Sequence, residues 1–250
     1  MIEPFPLISI VTVSYNAVTT IEETILSVIN QTYPNIEYII IDGGSTDGTV
    51  DIIKKYQDKI AYWVSEPDKG IYDAMNKGID RATGEWVNFM NAGDYFYDNN
   101  IIASIYFSSV LDNISVLYGN TLLIYENKKE LQDVKPSRIF SKYKYMPSCH
   151  QSIFCRILYV KTLKFNTSYK IAADLDFFYR LYKINHNYLY FHSIIACYDV
   201  VDGISSKQYR QTYKEIIQIK HSYLIYLAFI VFFNLKLFIK SVLTKCKKYF

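Results

Sequence analysis

A mostly parallel α/β sheet with helices on both faces is the fold this sequence predicts. Three observations carry the prediction. Short, β-branched apolar runs alternate with segments of helical periodicity through the first half of the chain. Those runs are apolar at consecutive positions, as strands covered on both faces require. With 250 residues, 50 % apolar and 20 % charged, the chain can bury a sizeable core as one large domain with at most an appendage.

The elements follow in order. Residues 7–13 (Leu-Ile-Ser-Ile-Val-Thr-Val) read as a first strand buried on both faces. Thr20 and Glu23 have the spacing of a capping box, and Ile21, Ile25, Val28 and Ile29 follow at helical intervals. Tyr33-Pro34-Asn35 ends that helix. Residues 38–41 form a second strand that runs into the turn-forming Asp42-Gly43-Gly44-Ser45. A helix over 49–56, a strand over 61–65, a helix over 71–82 and a strand over 86–90 complete a βαβαβαβ order, which implies parallel strands joined by crossover helices. The second half is less regular. It predicts a hairpin around Gly119-Asn120 joining 116–118 to 121–126, a loop-rich stretch to about 148, a helix over 174–183 and a strand over 188–196.

Charge is unevenly placed. The net charge is +3, but residues 221–250 hold Lys236, Lys240, Lys245, Lys247 and Lys248 and no acid, which leaves −2 for residues 1–220. A mildly acidic body is a poor phosphate-backbone binder, so no nucleic-acid partner is expected. The tail differs: residues 223–233 carry no charge over 11 positions, and lysines follow. A helix of that length covers about half of a bilayer core at ~1.5 Å per residue, so the tail is expected to lie on a membrane surface rather than span it. Four cysteines without C-x-x-C spacing argue against a zinc ribbon or a disulfide scaffold and for a reducing compartment. The first residues have neither a basic nor an apolar leader region, so no signal peptide is expected.

Chemistry in an open parallel sheet sits beyond the carboxyl ends of the strands. Four such ends carry polar residues: Ser14-Tyr15-Asn16, Asp42-Gly43-Gly44-Ser45, Glu66-Pro67-Asp68-Lys69 and Asn91-Ala92-Gly93-Asp94. A nucleotide base needs a stacking ring and a polar partner, for which Tyr15 and Asp42 are the candidates. Asp68 and Lys69 suit ribose or phosphate. Asp94, just past an apolar strand, is the candidate ligand for Mg²⁺ or Mn²⁺, which take hard oxygen donors. Neither a P-loop nor a G-x-G-x-x-G occurs, which argues against those two nucleotide chemistries.

The run from Ser9 to Asn16, the turn Gln31-Thr32-Tyr33-Pro34, the stretch from Asp42 to Thr49 and the segment from Ser65 to Gly78 resemble glycosyltransferase family 2. The segment from Ser65 to Gly78 narrows the resemblance to the branch of bacterial colanic-acid, O-antigen and capsule glycosyltransferases. His150-Gln151-Ser152, Ala173-Asp174 and Gly203-Ile204-Ser205-Ser206 are similar to it too. The resemblance covers about residues 6–210. It implies a GT-A fold and a nucleoside-diphosphate sugar donor bound by Ser14, Tyr15, Asn16, Asp42, Gly43, Asp68, Lys69, Asn91 and Asp94. It implies Mn²⁺ or Mg²⁺ at Asp94 and Asp174 as the catalytic base. The sequence departs from the family's pattern where Gly93 and Gly43 stand at positions that are commonly Asp. His150, Gln151 and Ser205 are expected to contact the acceptor or the donor diphosphate, with metal ligation the alternative for His150.

The domain layout expected is a catalytic domain over 1–220, with its nucleotide-sugar half over 1–95 and its acceptor half over 96–220, followed by a membrane-associating tail over 221–250. The activity expected is inverting transfer of a sugar to a polyprenyl-diphosphate-linked saccharide in bacterial surface polysaccharide synthesis. The place expected is the cytoplasmic face of the inner membrane, held peripherally. The alternative is a non-catalytic GT-A protein that binds nucleotide sugars within an assembly complex.

Overall fold

Every residue of Ile8–Ser14 is buried, so this strand, β1, lies inside the sheet with cover on both faces. The computed structural model describes residues 5–105, 113–134, 146–201 and 207–220, with only the backbone of Lys220. The expectations at Ser205, over 203–206 and for the 221–250 tail fall outside these residues.

β2 (Ile36–Asp42) and β4 (Trp86–Phe89) flank β1 in parallel, and β3 (Tyr62–Ser65) extends the row beyond β2. Helices α1 (Ile21–Ile29), α2 (Thr49–Lys55) and α3 (Ile71–Arg81) connect them. The chain continues through β5 (Tyr95–Phe96), α4 (Ile101–Ser104), β6 (Val116–Tyr125), β7 (Lys128–Gln132), β8 (Ile153–Arg156), α5 (Ile157–Leu163), α6 (Ala173–Ile184) and β9 (Tyr188–Asp199). The sheet order is β3-β2-β1-β4-β8-β6-β9-β5, with β7 attached to β6. β8 lies antiparallel between β4 and β6, and β6 and β9 run parallel. Six of the nine strands among the described residues therefore point one way, and the expected mostly parallel sheet forms.

Alternate residues of a strand face opposite sides, and the cores divide accordingly. Val11, Val13, Ile39 and Ile41 pack with Met75 and Ile79 of α3 and with Phe177 and Leu181 of α6. Ile8, Ile10, Tyr38 and Ile40 pack with Ile21, Ile25 and Val28 of α1 and Ile53 of α2. Helices on both faces follow from these two clusters.

Three local expectations are corrected. Gly119-Asn120 is not a turn: β6 runs straight through it, and the reversal comes after Tyr125, which pairs with Lys128. A Cβ at Gly119 would stand 2.8 Å from the Ile195 side chain and from the Ser193 carbonyl oxygen. The glycine therefore marks a close approach of β9, and register shifts around Asn120 mark a bulge there. Thr20 makes no side-chain cap to α1; the chain enters that helix through a turn in which the Thr20 and Ile21 amides both donate to the Ala17 carbonyl. The stretch before 148, read as loop, also holds β7, whose sequence Lys-Lys-Glu-Leu-Gln has no strand-like apolar pattern because its residues are mostly exposed.

Beyond residue 207 a second unit begins, of which α7 (Tyr209–Lys220) is described. Among the described residues no helix is long and apolar enough to cross a membrane.

Candidate active site

The parallel register brings the carboxyl ends of β1, β2, β3 and β4 to one edge of the sheet, and a buried carboxylate ties three of them together. Asp42 closes β2 and is fully buried. Its Oδ1 accepts from Ser14 Oγ of β1 at 2.8 Å and from Ser45 Oγ at 2.6 Å. Its Oδ2 accepts from Ser65 Oγ of β3 at 2.7 Å and from the amides of Gly44 and Ser45 at 3.1 and 2.8 Å. With five donors on two oxygens, Asp42 ties the scaffold together, and Ser14 is one of its partners. Burial opposes ionisation of Asp42, but the bonds from Ser45, Ser65 and Ser14 outweigh it and hold its pKa below the ordinary carboxylate value. A group with a depressed folded pKa contributes stability that is complete above the unfolded value and lost as pH falls through the folded one. Acidifying from about pH 5 to about pH 3 should therefore lower the urea midpoint of the wild type more steeply than that of Asp42→Asn, whose unfolding free energy starts lower by about 2–4 kcal/mol. Parallel midpoint curves would show that Asp42 carries no such linkage.

Above this knot lies an open surface. Tyr15 is 67 % exposed, its ring free to stack on a planar ligand. Asn16 adopts φ +47°, and its Oδ1 accepts from the Thr46 amide at 3.0 Å while its own amide donates to Ser45 Oγ at 2.8 Å. Asn16 thereby fixes the backbone that presents Tyr15. A Cβ at Gly43 would fall 2.5 Å from Asp68 Oδ2 and 3.4 Å from the Tyr15 ring, so Tyr15, Gly43 and the Asp68 carboxylate are immediate neighbours and the missing side chain leaves room for Asp68. Asp68 Oδ1 accepts from the Gly70 amide at 2.7 Å, and the Lys69 amide donates to Asp73 Oδ2 at 3.0 Å. Lys77 reaches back to the Pro67 carbonyl at 3.1 Å and to Glu66 at 2.7 Å. The loop that carries Asp68 and Lys69 is thus anchored to the start of α3.

The end of β4 builds the second part of the site. Asn91 and Asp94 are both buried, and the Asp94 amide closes a turn on the Asn91 carbonyl at 2.9 Å. Gly93 between them has φ +99°, so a side chain there would be strained. Thr24 of α1 clamps the loop: its Oγ1 donates to the Asp94 carbonyl at 2.8 Å and accepts from the Gly93 amide at 3.1 Å. Across from this loop, Asn88 of β4 donates to the carbonyls of Gln151 and Ile153 at 2.8 and 2.9 Å and so holds the turn His150–Ser152. Gln151 Nε2 then donates to Asp94 Oδ2 at 2.7 Å. Burial pushes the Asp94 carboxyl up to about 7, against the pull of His150 and the Gln151 amide.

His150 and Asp174 complete the arrangement. His150 Nε2 lies 3.0 Å from Asn91 Nδ2, and its Nδ1 lies 3.5 Å from Asp174 Oδ2. Asp174 is the second residue of α6, so its carboxylate sits in the positive field of the helix N-terminus and accepts the Leu175 amide at 2.8 Å. Asp176 is turned away and pairs with Arg180 at 2.8 Å. The structure therefore brings Asn91, Asp94, His150, Gln151 and Asp174 into one chain of contacts. Tyr15, Gly43 and Asp68 form a neighbouring group at the same sheet edge. Sequence reasoning passed over Thr24 and Asn88, which support these residues and show no motif of their own, and gave no role to Ser65 and Tyr72 within the Ser65–Gly78 segment.

Among the described residues, no three His, Cys, Asp or Glu side chains cluster as a metal site. The oxygens present still fit a hard cation: one buried carboxylate, Asp94, and two buried amide oxygens, Asn91 Oδ1 and Gln151 Oε1, that have no hydrogen-bond partner.

Residues 9–171 match the profile of Glycosyl transferase family 2. A PGL/p-HBAD biosynthesis glycosyltransferase of Mycobacterium bovis is 30 % identical over 208 residues, spanning 80 % of each chain. An uncharacterized glycosyltransferase of Rickettsia typhi is 34 % identical over 194 residues, 73 % of this chain and 61 % of that protein. Among solved structures, S. aureus TarS in complex with UDP superposes with a TM-score of 0.68 at 21 % identity over 86 % of this chain. The mannosyltransferase PcManGT of Pyrobaculum calidifontis, in complex with GDP-Man and Mn²⁺, gives 0.65 at 16 % over 87 %. The chain spans 64 % of each of those two solved chains, under two thirds of their length.

Proposed function

The chain belongs to glycosyl transferase family 2 and is a glycosyltransferase of GT-A fold, and on that premise we propose that it moves one sugar from a nucleoside-diphosphate sugar to a lipid-linked oligosaccharide in bacterial surface polysaccharide synthesis, with inversion. The observation that carries the reading is the pairing of two carboxylates: a buried one at the donor-side loop, Asp94, and one at a helix N-terminus, Asp174, connected through the His150-Gln151 turn. Tyr15 offers its ring to the base, with Gly43 and Asp68 at its side, and Lys69 serves the ribose or phosphates. Asp174 takes the proton of the acceptor hydroxyl as its oxygen attacks the anomeric carbon and the diphosphate leaves. Asp94, with the amide oxygens of Asn91 and Gln151 at hand, would hold Mn²⁺ or Mg²⁺, which supplies positive charge against the leaving diphosphate. The bound nucleotides and Mn²⁺ of the solved neighbours, UDP in TarS and GDP-Man in PcManGT, support the donor class and a divalent cation.

The test is nucleoside diphosphate release from a panel of UDP-, GDP- and dTDP-sugars with Mn²⁺ or Mg²⁺, in the presence of a lipid-linked saccharide extract. Release from one donor that requires both cation and extract is expected. Cation-dependent nucleotide binding with no turnover on any extract would favour a non-catalytic role in an assembly complex.

We assign residues 1–220 to catalysis and residues 221–250, with five lysines and no acid, to association with the cytoplasmic face of the inner membrane. Removing residues 222–250 should move the protein from the membrane to the soluble fraction while donor-dependent release persists. Retention on the membrane would defeat the assignment of the tail.

A further inference from the structure

Asn91, His150 and Asp174 form a continuous line of polar contacts from the donor-side loop to the start of α6. Asn91 presents Nδ2 to the ring at 3.0 Å, and an amide nitrogen only donates, so Nε2 of His150 is the acceptor. The single proton of a neutral ring then sits on Nδ1, the nitrogen that faces Asp174 Oδ2 at 3.5 Å. Both side chains are largely enclosed, at 19 % and 17 % exposure. Asp174 Oδ1 is held separately, by the Leu175 amide at 2.8 Å. The Tyr72 hydroxyl lies 3.2 Å from that oxygen but has a closer acceptor in the Ile171 carbonyl, at 2.6 Å. Among the described residues, His150 is thus the side chain that faces the second carboxylate oxygen.

We propose that His150 is a positioning residue for Asp174, and that Asn91 makes it one by fixing the Nδ1–H tautomer. The proposal rests on Asp174 being the base that deprotonates the acceptor. Both ring nitrogens face protein partners, so the ring would have to give up Asn91 to receive a proton itself, and it is not the base. Its N–H sets the rotation of the carboxylate while the helix amide holds the other oxygen. The 3.5 Å separation is long for a hydrogen bond, as catalytic contacts commonly are before substrates bind. Such a constraint acts on rate more than on affinity, because a general base about 1 Å out of place costs on the order of 10²-fold. Asn91 belongs to the same turn as Asp94, so the loop that serves the donor also sets the tautomer that serves the acceptor.

The full chain, labelled with ¹⁵N in its four histidines, allows a direct test. Long-range ¹H–¹⁵N spectra at about pH 8, where an ordinary ring is neutral, distinguish the two tautomers. The His150 signals, assigned by their loss in His150→Gln, should report Nδ1–H in the wild type and should shift toward Nε2–H in Asn91→Ala. A wild-type Nε2–H ring overturns the proposal, and an unchanged tautomer in Asn91→Ala overturns the part given to Asn91. Kinetics give the second readout. The side-chain nitrogen of Asn reaches the place of Nδ1, and that of Gln the place of Nε2. His150→Asn should keep kcat within about tenfold of wild type, whereas His150→Gln and His150→Ala should both lose about 10²-fold with little change in the donor KM. His150→Gln as active as His150→Asn would overturn the proposal. Asp174→Asn, run alongside, separates the two levels: transfer surviving in Asp174→Asn overturns the base assignment, while its loss together with an Nε2–H ring overturns the role of His150 alone.

Discussion

Asp174→Asn should abolish sugar transfer and leave nucleotide binding in place. The substitution keeps the shape of the side chain, and it removes the lone pair that takes the acceptor's proton. Loss of a positioned general base costs about 10²–10⁴-fold in rate. The fold should tolerate the change: Asp174 lies at the second position of α6, where loss of the charge forfeits about 0.3–1 kcal/mol of helix-dipole stabilisation. Its contacts are Tyr72, His150 and the Leu175 amide, and none is with Tyr15, Gly43 or Asp68. Calorimetric titration with the nucleoside diphosphate of the donor should therefore give nearly the wild-type affinity, while turnover of the full donor and acceptor pair disappears. Asp176→Asn is the matched control. That carboxylate pairs with Arg180, whose guanidinium also donates to the carbonyls of Leu163 and Lys164 at 2.7 Å, so its loss should appear in the melting temperature rather than in kcat. If Asp174→Asn kept more than about a tenth of the rate, the proton would have to go elsewhere.

The two halves of the fold were unequally legible, for physical reasons. β1, β2 and β4 and the helices between them announce themselves because these strands are largely covered on both faces and α1 and α3 each have one apolar stripe, so local periodicity coincides with burial. β7 and β5 defeat the same reading. β7 has four exposed residues of five and β5 is two residues long, so pairing partners rather than composition make them strands. Gly119 misleads in the opposite direction, since a close approach of β9 and a tight turn both call for glycine.

The site shows the same division. Tyr15, Asp68 and Asp94 stand out in the sequence because each follows a strand-like apolar run, whereas Asp174 stands out only through the family resemblance. The contacts of Asp42 and Gln151 do not show in the sequence. Asp42 sits in a turn motif that suggests a ligand contact, but the hydroxyls that bury it come from β1 and β3, 28 and 23 residues away. Gln151 meets Asp94 across 57 residues, through a turn that Asn88 holds from within β4. Only the register of the sheet brings such partners together.

Asp94→Asn should produce an enzyme at least as stable as the wild type and inactive with every donor. Asp94 is 6 % exposed, and burial outweighs the attraction of His150 and the bonds from the Gln151 amide and the Asp199 backbone. Burying a carboxylate that its partners do not fully offset opposes folding, and removing the charge relieves that cost. The apparent melting temperature without metal should therefore stay level or rise. Function requires the charge that stability disfavours. With Gly93 beside it, Asp94 is the sole carboxylate of the Asn91–Asp94 turn, and the amide oxygens of Asn91 and Gln151 carry no charge to replace it. A neutral residue at 94 leaves a divalent cation no anionic protein ligand on this loop, and cation-dependent binding of the nucleoside diphosphate should weaken by more than about 1.4 kcal/mol, a factor of ten in affinity. The decisive comparison is melting temperature against Mn²⁺ concentration in the presence of the nucleotide: a rise for the wild type and a flat line for Asp94→Asn. A variant that is destabilised without metal, or one that keeps the Mn²⁺-dependent rise, would place the cation elsewhere and return Asp94 to the scaffold with Asp42.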